Sequence, residues 1–273
     1  MRYKINSFLI KLLHRKCRLP KSFVYHFVIF LNKVTFARKY SHFIDPTDTN
    51  DFKYDNKGYI LFNHNANDSL NDIVNACNTL FDQKVSQFSR EEFQNNPRKN
   101  FLLTVESNDE LLALPEISRF VRSDFVTEHV SSILKAPYII NSARLWWSPV
   151  NTTELSSQLY HFDEEDLTQV KLFINIKSVS DTSGPFTFLS RKDSKSVTKY
   201  FRNGKRRFTD DDIYTHIDES QAIQIVGKPG SGAFIDTSSC MHYGSRNNET
   251  DRLVLMMQFL RTKAPLITQS LTV

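Results

Sequence analysis

Apolar and polar positions follow two different periods along this chain. Residues 1–43 read as two short helical stretches parted at Pro20, with Phe8, Leu9, Leu12 and Leu13 on one face and Lys4, Lys11, Arg15 and Lys16 beside them. Residues 44 to about 65 are polar and loop-like, with a short strand at Tyr59–Phe62. Ser69-Leu-Asn-Asp72 resembles a capping box with Asp in place of Glu. It opens a helix in which Leu70, Ile73, Val74, Cys77, Leu80 and Phe81 keep helical spacing, and a further helix covers Phe125–Leu134. After Pro137 the pattern changes to period two. Short strands are expected at Tyr138–Trp147, Val170–Ile176, Phe186–Leu189, Ala222–Val226, Gly232–Asp236 and Arg252–Phe259, with turn residues between them. Helices followed by many short strands imply a mainly β fold with supporting helices, a β-sandwich or jelly roll rather than alternating βαβ units. The expected organisation is an arm over 1–43 and one domain over 44–273, with helical support at 66–136 and the β core at 138–262.

Composition narrows the class. At 273 residues, 40% hydrophobic and 24% charged, the chain is neither disordered nor fibrous. Its 22 phenylalanines favour a β-rich interior. Cys17, Cys77 and Cys240 are too few and too scattered for a disulfide framework or a zinc knuckle, which points to reduced thiols in a cytoplasmic protein. The longest uncharged run near the N-terminus, Ser22 to Asn32, is well short of the ~20 residues a spanning helix needs. The net charge of +5 conceals an asymmetry: residues 1–43 hold ten Lys/Arg and no acid, so the rest carries 25 basic against 30 acidic side chains. The basic arm fits either a peripheral membrane contact with anionic headgroups or a helical arm packed on the domain.

Two His-x-Asp triplets occur, His161-Phe-Asp163 and His216-Ile-Asp218. In an extended segment both side chains of such a triplet lie on one face, where they can ligate one metal ion. A 2-His-1-carboxylate site needs a second histidine from a distant strand, with several strands and turns between. His242 follows His161 by 81 residues, which leaves room, but follows His216 by only 26, which does not. His161, Asp163 and His242 are therefore the candidate ligands, and His216 is expected on the surface. Arg252 begins the next strand, and alternation places Arg252, Val254 and Met256 on one face, where the guanidinium could pair with a carboxylate.

These segments carry a resemblance. Gln158-Leu-Tyr-His161-Phe-Asp163, Lys171-Leu-Phe-Ile-Asn-Ile176, Gly184-Pro-Phe-Thr-Phe188, Gly230-Ser-Gly-Ala-Phe-Ile-Asp236, His242 and Arg252 together resemble the phytanoyl-CoA dioxygenase-like branch of the Fe(II)/2-oxoglutarate oxygenases, over roughly residues 110–260. The resemblance implies a double-stranded β-helix in which His161, Asp163 and His242 bind Fe(II) and Arg252 pairs with the distal carboxylate of 2-oxoglutarate, with O2 as the second co-substrate. Gln158 and Lys171 join Arg252 as candidates to face 2-oxoglutarate, and Asp236 is expected to support the site or a turn. A carboxylate at position 163 rather than a small residue implies hydroxylation rather than halogenation. The stretch after the Gly-Pro segment, Leu189-Ser-Arg-Lys-Asp-Ser194, departs from the family pattern.

Arg246-Asn-Asn-Glu-Thr-Asp-Arg252 also fits the R-x-N-x-T-x-R pattern of AlkB-like nucleic-acid demethylases, but it begins four residues after His242 and reads as a turn. The domain is acidic outside its two basic patches and shows no base-stacking platform, so no nucleic acid is expected. The second basic patch, 191–207, holds eight Lys/Arg against one Asp, and the resemblance places this 191–212 insertion over the barrel mouth. There Arg202, Lys205, Arg206 and Arg207 would meet an anionic small or lipid-linked substrate. A charge run solvated on a loop is the plainer alternative.

Overall fold

The computed structural model describes residues 57–87, 101–136, 138–166, 168–201 and 205–261. The basic arm and Arg202 lie outside the described residues. Tyr59–Phe62 forms β1 at the boundaries its apolar run predicts. Helix α1 (Ser69–Lys84) buries Leu70, Ile73, Val74, Cys77 and Phe81 along one stripe. Its start differs from the expected capping box. Ser69 is already helical and donates its N–H to Asn67 Oδ1 at 3.0 Å, a local side-chain turn that replaces the box, and Asp68 at the N-cap makes no side-chain capping bond. Strand β2 (Leu103–Ser107) leads into α2 (Asn108–Ala113), α3 (Pro115–Phe120) and α4 (Asp124–Leu134). Pro115 sits at the start of α3, where its missing N–H costs no helical bond. Lys135, in the left-handed region at φ 48°, closes α4.

Seven further strands follow: β3 (Tyr138–Ser148), β4 (Gln169–Asn175), β5 (Thr187–Phe188), β6 (Ile223–Gln224), β7 (Gly232–Asp236), β8 (His242–Tyr243) and β9 (Arg252–Arg261). All pairings are antiparallel, in a six-stranded sheet ordered β1-β7-β4-β9-β3-β2 and a three-stranded sheet ordered β6-β5-β8. Single bridges from His161 to His242 and from Tyr160 to Phe208 widen the smaller sheet by two extended segments.

Alternation along the strands sorts the interior into layers. Leu253, Leu255, Met257 and Phe259 of β9, with Leu172 and Ile174 of β4 and Phe234 of β7, pack against the helices. Val254 and Met256, with Phe173, Ala233 and Ile235, point the other way and meet Phe186 and Phe188 of the smaller sheet. A sheet that buries one face on helices and the other on a second sheet is the layer plan of a double-stranded β-helix, and the chain has that jelly-roll fold. Gly232 marks its tightest crossing, since a Cβ there would stand 2.0 Å from the Phe173 carbonyl oxygen on β4.

The described parts of the basic segment, 191–201 and 205–212, are folded. Residues Arg191–Thr198 form α5 and Asp210–Tyr214 form α6. Val197, Phe208 and Ile213 bury with Tyr160, Leu189, Met241 and Tyr243 in a third apolar cluster. Ser190 caps α5 through Asp193 N–H, and Arg191 Nη2 donates to buried Asp236 at 2.8 Å.

Candidate metal centre

His161 and His242 stand opposite one another, and each backbone N–H donates to the other's carbonyl at 2.9 Å. Opposed residues on antiparallel segments share a face, which brings the two rings to 4.4 Å between centroids. Asp163 returns to that face two residues later, its N–H fixed on Thr237 O at 3.0 Å. One ligand atom from each of the three side chains lies within 4.8 Å of the others. Among the described residues this is the one such cluster that could hold a metal ion.

The imidazoles are oriented for ligation. His161 Nδ1 is 2.8 Å from Leu159 O, and His242 Nδ1 is 2.9 Å from Cys240 O. A carbonyl only accepts, so each Nδ1 carries the proton and each Nε2 offers a lone pair to the cluster. Burial, then the neighbouring His242, pushes His161 down to about 2, and burial also holds His242 below the usual range. Both rings are therefore neutral at pH 7. Burial acts to raise Asp163, but Lys171 Nζ at 2.6 Å and the two imidazoles outweigh it and keep the carboxylate ionised. Phe186 lies over His242 at 5.2 Å and closes that side to water.

The remaining candidates separate. Arg252 is 3% exposed on the inward face of β9, and its Nε has no hydrogen-bond partner. Burial lowers its pKa to about 10, so it is still charged at neutral pH. Ser148 pairs with Arg252 across β3 and β9, is fully buried, and its Oγ is likewise without a partner. Nothing in the sequence pattern singles out Ser148, because it is visible only through the register of β3 on β9. Lys171 is inside the site but is spent on Asp163.

Gln158 corrects the expectation that it faces 2-oxoglutarate. Its Oε1 accepts from Thr153 Oγ1 and Leu155 N at 2.9 Å each, and its Nε2 donates to Ser245 O at 2.7 Å and Asn151 Oδ1 at 3.1 Å. The amide is saturated by the loop that precedes His161 and by the connection between β8 and β9. Asp236 supports the turn before Cys240, accepting from Ser238 Oγ at 2.6 Å and from Arg191. His216 is exposed and stacks on Tyr200 at 3.8 Å, while Asp218 caps a turn through Ser220 N, so the second triplet lies apart from the cluster. Trp146 packs between the sheets and Trp147 on the helical side.

Of the basic side chains at 205–207, Lys205 pairs with Asp212 at 2.5 Å and Arg206 stands 3.8 Å from Glu164, both exposed. Arg207 acts on the centre: its charge helps hold both histidines down, and Asp163 in turn supports its own protonation against burial. In the R-x-N-x-T-x-R segment, Arg246 donates to both Asp210 oxygens at 2.6 and 2.7 Å and lies 3.6 Å over the Tyr243 ring. Asn248 Nδ2 donates to Pro149 O at 2.8 Å and Thr250 O at 3.1 Å. The segment is the connection between β8 and β9.

No protein-family model and no curated protein matches the sequence. Among solved structures, EctD from S. alaskensis with bound Fe aligns at TM-score 0.53 and 13% identity, covering 76% of this chain and 74% of that one. The same protein with 2-oxoglutarate and 5-hydroxyectoine aligns at TM-score 0.51 and 12% identity, over 76% and 73%. Its apo form gives TM-score 0.50 at 13% identity, over 76% and 74%. The likeness is one of fold.

The residues present fit a divalent metal and a dicarboxylic co-substrate. Two neutral imidazoles and one carboxylate form the donor set of a facial triad, a set that suits Fe(II) and leaves coordination positions open. Arg252 Nε and Ser148 Oγ are two orphaned, buried donors on one face, and an external carboxylate would satisfy both.

Proposed function

We propose that this protein is an Fe(II)- and 2-oxoglutarate-dependent oxygenase that hydroxylates a small, anionic substrate, free or lipid-linked. One juxtaposition carries the reading: a buried His161/Asp163/His242 cluster with both Nε2 atoms unprotonated, in the same barrel as a buried Arg252 that has no carboxylate partner among the described residues. The EctD structures, which hold Fe and 2-oxoglutarate in the same fold, support it as analogy. The resemblance to the phytanoyl-CoA dioxygenase-like branch belongs to the same proposal.

Bound Fe(II) would supply dioxygen activation and the oxidative decarboxylation of 2-oxoglutarate to succinate and CO2. The chain's own residues do the rest. His161 and His242 present Nε2 because Leu159 O and Cys240 O hold the opposite nitrogens. Lys171 keeps Asp163 ionised and fixes one of its oxygens. Arg252 and Ser148 anchor the far carboxylate of the co-substrate. Phe173, Phe186, Val254 and Met256 exclude water around it, which favours reaction with substrate over loss to solvent.

The test is an anaerobic titration with Fe(II) and 2-oxoglutarate, followed by succinate release in air, with His161→Ala as control. Binding of 2-oxoglutarate only with metal, lost in the variant, is expected. A native protein that binds no 2-oxoglutarate overturns the proposal.

A further inference from the structure

The charges around the cluster do not cancel. Lys171 is matched by Asp163, while Arg207 and Arg252 have no such partner in the site. A divalent metal and a doubly charged co-substrate cancel one another, so two positive charges remain, that of Arg252 enclosed and that of Arg207 at the exposed rim. Of the neighbouring acids, Glu164 faces Arg206 at 3.8 Å and Asp166 pairs with Arg261 at 2.9 Å, while Glu165 is exposed to solvent and accepts from the neutral Gln169 amide at 3.2 Å.

Geometry identifies where the counter-charge would sit. Tyr160 and Phe208 exchange both backbone hydrogen bonds at 2.9 Å, which makes His161 and Arg207 the next pair along the two segments. Cross-strand neighbours share a face, so Arg207 lies on the side from which His161 faces the metal position. Phe208 anchors this segment by burying in the third cluster, whereas Arg207 is exposed and accessible to a ligand. Lys205 and Arg206, its neighbours, are turned to Asp212 and Glu164.

We propose that Arg207 is the specificity-determining residue that receives a dianionic group of the substrate, of the phosphate-monoester type, at the rim of the metal centre. This rests on the oxygenase reading above and deepens it. A guanidinium matches two phosphate oxygens in a bidentate pair, and a dianion restores neutrality to the loaded site. Arg207 is a binding and positioning group, because it holds the substrate by its charged end while a bond elsewhere in the molecule meets the metal.

The probe is inorganic phosphate, titrated calorimetrically at constant ionic strength into anaerobic protein saturated with Fe(II) and 2-oxoglutarate, so that Arg252 is already occupied. Native protein should bind phosphate. Arg207→Gln should weaken phosphate binding by about ten- to a hundredfold, the effect of losing a charge-assisted pair, with a much smaller effect on 2-oxoglutarate affinity. Arg206→Gln should leave both within about twofold. Failure of native protein to bind phosphate, or equal binding by Arg207→Gln, overturns the proposal. The same titration without metal and co-substrate separates the two readings: phosphate that needs Arg207 in a protein that never binds 2-oxoglutarate would leave an anion site standing and remove the oxygenase.

Discussion

Replacing Arg252 by Met should stabilise the protein without co-substrate and weaken its binding of 2-oxoglutarate. The guanidinium is fully enclosed, and burial lowers its pKa from 12.5 to about 10. That displacement corresponds to ~3 kcal/mol of penalty on the charged form. The folded-state value lies below the unfolded one, so the penalty is complete at any pH below about 10 and is relieved only as pH rises beyond it. Neutral buffer therefore carries all of it. A methionine fills much of the same volume without charge but leaves a small gap, so a net gain of about 2 kcal/mol is expected. At this chain length that is roughly 4–8 °C in Tm. With Fe(II) present and 2-oxoglutarate at a hundred times its native Kd, the native protein gains ~2.7 kcal/mol from ligand binding. If the variant binds about a hundredfold more weakly, it gains only ~0.4 kcal/mol under the same conditions. Thermal melts with and without 2-oxoglutarate, with circular dichroism to establish an unchanged fold, should thus show the variant's advantage without co-substrate erased when co-substrate is present. A variant that melts lower without co-substrate would show that Arg252 has an internal partner, and an undiminished 2-oxoglutarate shift would show that it does not anchor the co-substrate.

Other perturbations follow from the same geometry. Gly232→Ala drives a methyl to within 2.0 Å of the Phe173 carbonyl, so β4 and β7 must separate; a loss of about 3 kcal/mol or more is expected in urea unfolding. His161 has a folded pKa of about 2 against an ordinary 6.5, so its contribution is intact above pH 6.5 and lost on acidification. Metal-free protein should lose ~2 kcal/mol from this residue between pH 6.5 and 5, a slope that His161→Gln should reduce. Arg246→Ala breaks the pair with Asp210 and the contact with Tyr243, and limited trypsin digestion should then cut faster within residues 199–207 while His161/His242 backbone pairing protects the core.

Much of the scaffold is legible in the pattern of residues. The short apolar run at Tyr59–Phe62 and the strand expected at Gly232–Asp236 coincide with β1 and β7, and the helix at Phe125–Leu134 gains only Asp124. Spacing alone separates the two His-x-Asp triplets, since only one leaves room for intervening strands before His242. The parts that escape are those held by single contacts. Helix α5 is Arg-Lys-Asp-Ser-Lys-Ser-Val-Thr, with Val197 as its one buried apolar side chain, and it is fixed by Arg191 on Asp236 rather than by periodicity. Strand β8 is two residues long, too short for a period to show. Gln158 looks like a ligand-facing amide until its loop partners are known, and Ser148 is an ordinary strand-end serine until the register of β3 places it against Arg252.

Strand β9 works as a partition wall. Its odd-numbered residues from Leu253 to Phe259 belong to the helical core, while Arg252, Val254 and Met256 belong to the barrel lumen. Lumen-side residues pack against Phe186 and Phe188 of the smaller sheet and the others against the helices, so a substitution at one position of β9 is felt first in one of the two compartments. A single inserted residue within β9 removes that separation, because it would turn every side chain beyond it to the opposite compartment.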